Sequence, residues 1–474
     1  VTVPVSIVWF RQDLRVKDNP ALHAACDLGK IIPIYIHDTS LPEKRLPGSV
    51  SKWWLHQSLN SLNDRLNGHL QVFEGDPEKL LPELMETFNV EHLFWNRCYE
   101  PWHVKRDKTV KESLKDNGKI VKSFNGSLLW EPWDIENKSG SPYKVFTPFY
   151  RKGCLQASSP RYPQAAVARI TYADVKNKGV SIDSLGLMPD IKWYDGIAET
   201  WKPGEEGAAD RLADFIDEAA KSYKKDRDFP AICGTSMLSA HLHFGEVSPN
   251  QVWYAILDAF GSADDNNIDT FLSELGWREF AHSLIYHFPT FPDKNFNEKF
   301  DKFPWRSSKK DLESWQKGKT GIPIVDAGMR ELWHTGYMHN RVRMIVGSFL
   351  VKNLLIDWRE GEAWFWDCLA DADGANNSAG WQWVAGSGAD AAPYFRVFNP
   401  VLQGEKFDKQ GEYVRTWCPE LSKLPNKLIH KPWEAGSAEL KQAGIALGDQ
   451  YPEPIVDLKA SRQRALDAFA EIKG

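Results

Sequence analysis

Cysteine is scarce and scattered: six in 474 residues, at positions 26, 98, 154, 233, 368 and 418, with no CxxC pair. That argues against a disulfide framework or a zinc motif and reads as reduced, buried thiols of a cytoplasmic protein. No run of about 18 apolar residues exists, so no membrane span is predicted. The opening VTVPVSIVWF has no basic segment ahead of its apolar run, so no export signal is read. Basic excess is also missing. The net charge of −6 argues against a general polyanion binder and leaves room for a local basic groove. No GxGxxG follows the first strand-like run, which leaves an ordinary dinucleotide site there unsupported. The HxH of His241 and His243 lacks further His or Cys at ligand spacing, and no metal is expected.

Tryptophan, by contrast, is abundant: 21 residues, ten of them from Trp253 to Trp383. Most should fill an aromatic core. The length suggests two or three domains. Residues 1–130 alternate strand-like runs (6–10, 31–37, 70–75, 92–96) with helical patterns, which predicts a Rossmann-like α/β domain around a parallel sheet. Residues 131–205 are rich in Pro, Ser and Gly and read as a surface connector anchored by Trp130, Trp133, Phe146 and Phe149. From 206 to 474 strand signals nearly vanish and apolar residues recur at helical spacing, as in 268–288, 322–336 and 339–357.

The stretch DADGANNSAGWQW (371–383) crowds Asp371, Asp373, Asn376, Asn377, Trp381 and Trp383 together without a His, Cys or Lys. A hydrolase would want a nucleophile with its base, and a metalloenzyme would want His or Cys; neither is offered here. On the helix of 268–288, Glu274, Trp277, Arg278 and Ala281 share a face, which is either turned to solvent or set against a ligand. Asn340 and Met344 form an i, i+4 pair beside Arg341, in a pattern that suits a planar, partly polar ligand or a salt-bridged core helix. Thr235, Ser236 and Ser239 precede a probable helix, where hydroxyls suit either a phosphate or an N-cap. Residue chemistry alone thus predicts an α/β domain plus a helical domain with a pocket for a phosphate-bearing cofactor.

Longer motifs go further. IVWFRQDLRVKDNPAL (7–22), YKVFTPF (143–149), RDFPAICGTSMLSAHLHFGEVSP (227–249), ELGWREF (274–280), GIPIVDAGMREL (321–332), MHNRVRMIVGSFLVKNLLIDWREGE (338–362) and GWQWVAGSGADAAPYFRVFNPVLQGEKFD (380–408) follow one another in order. Together they resemble the photolyase and cryptochrome family over essentially the whole chain, most closely its cyclobutane pyrimidine dimer photolyases of the bacterial class I and class III type. The resemblance implies an N-terminal α/β antenna domain and an all-α C-terminal domain that binds FAD. It assigns Tyr223, Thr235, Ser236, Leu238, Ser239, Arg278, Asn340, Arg343, Asp371, Asp373 and Asn377 to FAD. Asn377, or its neighbour Asn376, would face flavin N5. Trp305, Trp358 and Trp381 would carry electrons inward from the surface.

Family members that repair (6–4) photoproducts carry a histidine pair where this chain has Asn340 and Met344. With Glu274, Trp277 and Trp383, the pattern implies light-driven repair of cyclobutane pyrimidine dimers in DNA, the partner being UV-damaged DNA. Glu274, Asn340 and Met344 would form the catalytic pocket. Trp277 and Trp383 would receive the flipped lesion, and Arg341 and Arg396 its flanking phosphates. The alternative is a cryptochrome-type blue-light receptor. Met237 departs from the pattern, standing where many relatives have Arg or Lys. Glu100, with Trp53 or Trp54, would hold an antenna chromophore, for which methenyltetrahydrofolate is expected, with a deazaflavin or an empty site as alternatives. A monomer is expected.

Overall fold

The computed structural model describes residues 3–473. β1 (Val5–Phe10), β2 (Lys30–Asp38), β3 (Gln71–Gly75), β4 (His92–Asn96) and β5 (Ile120–Phe124) form one parallel sheet in the order β3-β2-β1-β4-β5. The first four lie where alternating apolar runs place them. β5 went unread because a lysine and a serine interrupt it and only Val121 of its five residues is buried. Central β1 is buried at every position after Val5, as expected of a strand covered on both faces.

Helices α1 (Pro20–Leu28), α2 (Ser49–Arg65), α3 (Pro77–Thr87) and α4 (Pro101–Asp116) alternate with the strands. Asn19 and Asp76 accept the first free N–H groups of α1 and α3, and Pro stands at the start of each. α4 escaped the periodicity reading because its buried face is partly ionic. Arg106 pairs with Asp38 at 2.8 Å and Asp107 with Arg11 at 2.5 Å. Both guanidinium groups lie over Trp9, at 4.9 and 4.5 Å from its centroid.

Residues 131–205 carry only short helical turns and isolated bridges, Tyr172 pairing with Ile31 and Val180 with Val72. Gly179 is required there: a Cβ would overlap the Val72 backbone. Trp130 anchors the segment through its indole N–H to the Ser158 carbonyl at 2.9 Å, and Phe146 and Phe149 are buried. Trp133, expected as an anchor too, is 41% exposed.

The chain divides into two compact units, Val1–Glu218 with Ser236–Pro289, and Ala219–Thr235 with Thr290–Gly474. Besides the sheet, the first contains α5 (Pro249–Phe260) and α6 (Asn266–His287). The second is helical. Its longer elements include α7 (Pro323–Thr335), α8 (Asn340–Ser348), α9 (Trp358–Cys368), α10 (Gly374–Ala385), α11 (Pro400–Phe407) and α12 (Leu458–Lys473). The helix expected over 339–357 gives way after Ser348 to a wider π turn, Phe349–Asn353. The core of this unit gathers Trp315, Met329, Val342, Phe349, Trp358, Phe365 and Trp381. Among the described residues no helix is long and apolar enough to cross a membrane. All six cysteines are free; Cys233 is exposed and Cys26 half-buried, and only the other four are the buried thiols expected.

Candidate cofactor and nucleic-acid sites

In the second unit the decisive geometry surrounds the start of α8. His339 caps the helix, its Nδ1 accepting the Arg341 N–H at 3.2 Å. Burial lowers the imidazole to about 4, so it stays neutral and can accept. One turn into the helix, Arg343 donates from Nε to the Met338 carbonyl at 2.7 Å and from Nη2 to Asp371 Oδ2 at 2.8 Å. Burial pulls the Arg343 pKa down, but Asp371, with Tyr337 and Glu331, outweighs it and holds it above its ordinary value. The Tyr337 hydroxyl is 3.5 Å from Thr235 Oγ1.

Asp373 caps α10. It accepts both the backbone N–H of Asn376, at 2.7 Å, and its amide nitrogen, at 2.8 Å. Asn376 is therefore an exposed residue folded back on its own helix start. Asn377 is buried, and its amide nitrogen donates to the Glu362 carbonyl at 3.1 Å. That leaves Asn377 its carbonyl oxygen, an acceptor, and one amide N–H. Ser378 donates to the Glu362 carboxylate at 2.5 Å.

Tyr223 is buried with the Arg227 guanidinium 5.3 Å from its ring centroid. Arg341 is paired with Asp228 at 2.7 Å and lies 4.4 Å from the Phe407 centroid, so an incoming phosphate would compete with that carboxylate. Asn340 and Arg396 are exposed, and Met344 and Trp383 half-buried. Buried polar atoms in this region without a partner among the described residues include Asp371 Oδ1, Arg341 Nε and His339 Nε2. Buried polar atoms are rarely left so. An acceptor beside an arginine, next to hydroxyls and an amide carbonyl, fits a large heteroaromatic group with phosphates.

The tryptophans separate by environment. Trp358 is fully buried and donates its indole N–H to Asn295 at 2.9 Å. Trp381 is also buried, packed edge-on against Phe365 (4.9 Å) and Trp315 (6.1 Å). Trp305 is half-buried against Phe303, centroids 4.4 Å apart.

In the first unit, Thr235's neighbours Ser236 to Ser239 lead into a short helix, Ser239–His243, whose N-cap is Leu238 with no side-chain cap bond. The serine hydroxyls therefore do not cap it. Met237 adopts a left-handed φ of 51° and its sulfur lies 3.7 Å from an Arg211 nitrogen. On α6, Glu274 and Trp277 are half-buried. Trp277 stacks on Phe146 at 3.8 Å and meets Phe280 edge-on at 5.9 Å. Arg278 donates to the Ser127 carbonyl at 2.7 Å.

For the antenna residues, Glu100 is buried and contacts Gln12 at 3.2 Å and His103 at 3.1 Å. Cys98, Glu100 and His103 bring potential ligand atoms within 4.8 Å of one another. Trp54 belongs to the core: it stacks on Phe244, meets Trp201 edge-on and donates to Glu246 at 2.9 Å. Trp53 is buried against Tyr194.

Among the buried acids that sequence reading missed are two whose one signal was a carboxylate at an apolar-stripe position. Glu331 on α7 accepts from the Tyr413 hydroxyl at 2.5 Å and the His339 N–H at 3.3 Å. Glu279 on α6 accepts the Leu129 and Trp130 N–H groups, at 3.0 and 3.2 Å. Burial raises Glu279 from 4.5 to about 7, against the opposing pull of Arg278. A folded-state value above the unfolded one means that the native state binds the extra proton. Its stabilising contribution is full below about 4.5 and is lost as pH rises through about 7. Glu279→Gln keeps an oxygen for both N–H groups and should flatten this slope. Urea titrations from pH 5 to 8 are expected to show the wild type losing on the order of 2 kcal/mol more than the variant; parallel curves would refute the assignment.

Known families match both halves of the chain. Residues 6–167 match the DNA photolyase model, and residues 271–471 match the FAD binding domain of DNA photolyase. A deoxyribodipyrimidine photo-lyase of Agrobacterium fabrum is 50% identical over 478 residues, covering 100% of this chain and 98% of that protein. The chain belongs to the DNA photolyase family. A crystal structure of a bacterial class III photolyase from Agrobacterium tumefaciens superimposes with a TM-score of 0.96 at 48% identity, covering 100% of this chain and 98% of that one. Cryptochrome-1 of Arabidopsis thaliana is 36% identical, across 98% of this chain and 70% of its own length. The five-stranded parallel sheet and the helical remainder are thus the photolyase fold, as the motifs implied.

Proposed function

We propose that this protein is a light-driven lyase that splits cyclobutane pyrimidine dimers in DNA. The observation that carries the reading is full-length similarity to a photo-lyase at 50% identity. Asn340 and Met344 support it, because neither supplies the acid that (6–4) repair needs. Bound FAD, reduced and excited by light, supplies the electron that opens the dimer's ring and takes it back. Arg343 and Asp371 hold the cofactor at their ion pair, Asn377 presents its carbonyl to N5, and Asp373 fixes the start of the helix that carries Asn377. Tyr223, Thr235, Ser236, Leu238, Ser239, Arg278 and Asn340 complete the FAD contacts. Glu274 hydrogen-bonds the dimer's carbonyl and imide edge and steadies the charge that develops there. Trp277 and Trp383 receive the lesion, and Arg341 and Arg396 its phosphates. Trp305, Trp358 and Trp381 deliver electrons from the surface.

We assign residues 1–130 to the antenna domain, 131–205 to a connector, and 206–474 to FAD and DNA binding. The antenna chromophore is methenyltetrahydrofolate, contacted by Glu100; loss of its near-ultraviolet absorbance in Glu100→Gln would support this.

The decisive test irradiates the reduced protein with blue light beside a dimer-containing oligothymidine and follows recovery of thymine absorbance. Recovery is expected. Its failure with flavin bound and reduced would leave the receptor reading, which the plant cryptochrome relative favours. Glu274→Ala should lower the yield at least several-fold while light-driven flavin reduction persists, and Trp305→Phe should do the reverse.

A further inference from the structure

Lys352 is 2% exposed, yet the described residues place no carboxylate within ion-pair distance of it. It stands in the π turn Phe349–Asn353, where the widened backbone follows α8; such turns often accompany functional positions. Its ammonium meets two groups of one segment. Nζ is 3.4 Å from the Arg396 carbonyl and 5.2 Å from the centroid of the Tyr394 ring. Tyr394 is buried among Phe300, Phe303 and Phe469. A turn closed by the Arg396 N–H on the Pro393 carbonyl, at 3.0 Å, then throws Phe395 and Arg396 outward, Phe395 being 60% exposed.

A buried cation with only a carbonyl and an aromatic face for company is costly. A neutral residue of the same length would pack there at less cost, so stability does not account for the ammonium. What it does is bind the inner side of the turn whose outer side presents Phe395 and Arg396. We infer that Lys352 is a positioning residue that fixes the 393–397 turn so that Arg396 meets the phosphate beside the lesion. This rests on the reading that Arg396 contacts DNA.

Burial lowers the lysine to about 8, so the ammonium is lost within a measurable range. The groups facing it do not titrate there. Burial pushes the Tyr394 phenol far up. The other charged groups packed against this turn are Arg306, which donates to the Leu354 carbonyl, and Arg464 of α12, which donates to the Asn353 carbonyl.

The experiment measures affinity of the flavin-loaded protein for a dimer-containing duplex from pH 6.5 to 9. Wild-type affinity should fall roughly tenfold as pH rises through about 8, as a charge-assisted hydrogen bond is lost. Lys352→Met should bind roughly tenfold more weakly at pH 7 and show no such pH dependence. Adding it to Arg396→Ala should cost nothing further, because the two act through one contact. A pH-independent wild type overturns the inference without any variant. So does a Lys352→Met protein that binds normally, or one that weakens Arg396→Ala additively. If Arg396→Ala alone binds like the wild type, the DNA reading of that arginine falls with it. If Arg396→Ala binds weakly and Lys352→Met does not, only the positioning role falls.

Discussion

Asp371→Ala is expected to cost about 2–3 kcal/mol of stability and to release flavin on gel filtration. Removing one partner of a buried ion pair usually costs about 3–5 kcal/mol, since the other charge is left without compensation. The Arg343 side chain is 26% exposed against 7% for Asp371, so water offsets part of that loss. Arg343 would retain its Nε bond to the Met338 carbonyl and the Tyr337 ring 5.5 Å away, but no carboxylate among its hydrogen-bond partners. The double change Arg343→Met with Asp371→Leu separates stability from cofactor binding. It removes both charges, so urea unfolding should return to within about 1 kcal/mol of wild type. Flavin should still be lost, because neither the arginine nor the unpartnered Asp371 Oδ1 remains. If the double variant keeps its flavin, the pair serves the fold and the cofactor is held elsewhere.

How much of this was legible depended on whether a residue's burial partner lay within its own local pattern. The apolar runs of β1 to β4 are local, and they were read within a residue or so. α4 was not, because Arg106 and Asp107 look like a solvated face until Asp38 and Arg11 arrive from elsewhere in the chain. The acids of the site divide the same way. Asp371 and Asp373 stood out in a short stretch without a nucleophile, whereas Glu279 and Glu331 looked like ordinary helix charges. Periodicity also hid the π turn at Phe349–Asn353, since one wide turn leaves the apolar count of a helix almost unchanged. The electron-transfer tryptophans were assigned by resemblance alone: among 21 indoles, no spacing distinguishes Trp305, Trp358 and Trp381. Of the two adjacent amides, hydrogen bonds invisible in the sequence turn Asn376 back onto Asp373 and leave Asn377 with a carbonyl to offer.

Two helical glycines, one packed against Trp381 and one preceding it in the chain, should respond oppositely to alanine. Gly361 lies on α9, three residues after Trp358, and its missing side chain is the seat of Trp381: a Cβ would overlap Cη2, Cζ3 and Cζ2 of that ring. Gly380 lies on α10, immediately before Trp381, and a Cβ there would meet nothing within 4 Å. Alanine gains about 1 kcal/mol of helix propensity over glycine at either site. At Gly380 nothing opposes that gain, so Gly380→Ala should stabilise by up to about 1 kcal/mol. At Gly361 overpacking of about 3 kcal/mol outweighs it, for a net loss of about 2 kcal/mol. The loss must be taken up by Trp381 tilting or shifting, since Gly361 is buried and α9 is held at its start by Trp358 and its bond to Asn295. One helix thus sets the positions of two of the three tryptophans assigned to electron transfer. Gly361→Ala should therefore slow blue-light reduction of the bound flavin by at least tenfold, while Gly380→Ala leaves the rate unchanged. Repair by protein reduced chemically beforehand should survive in both, because it does not draw on Trp381. Equal photoreduction rates in the two variants would remove Trp381 from the path.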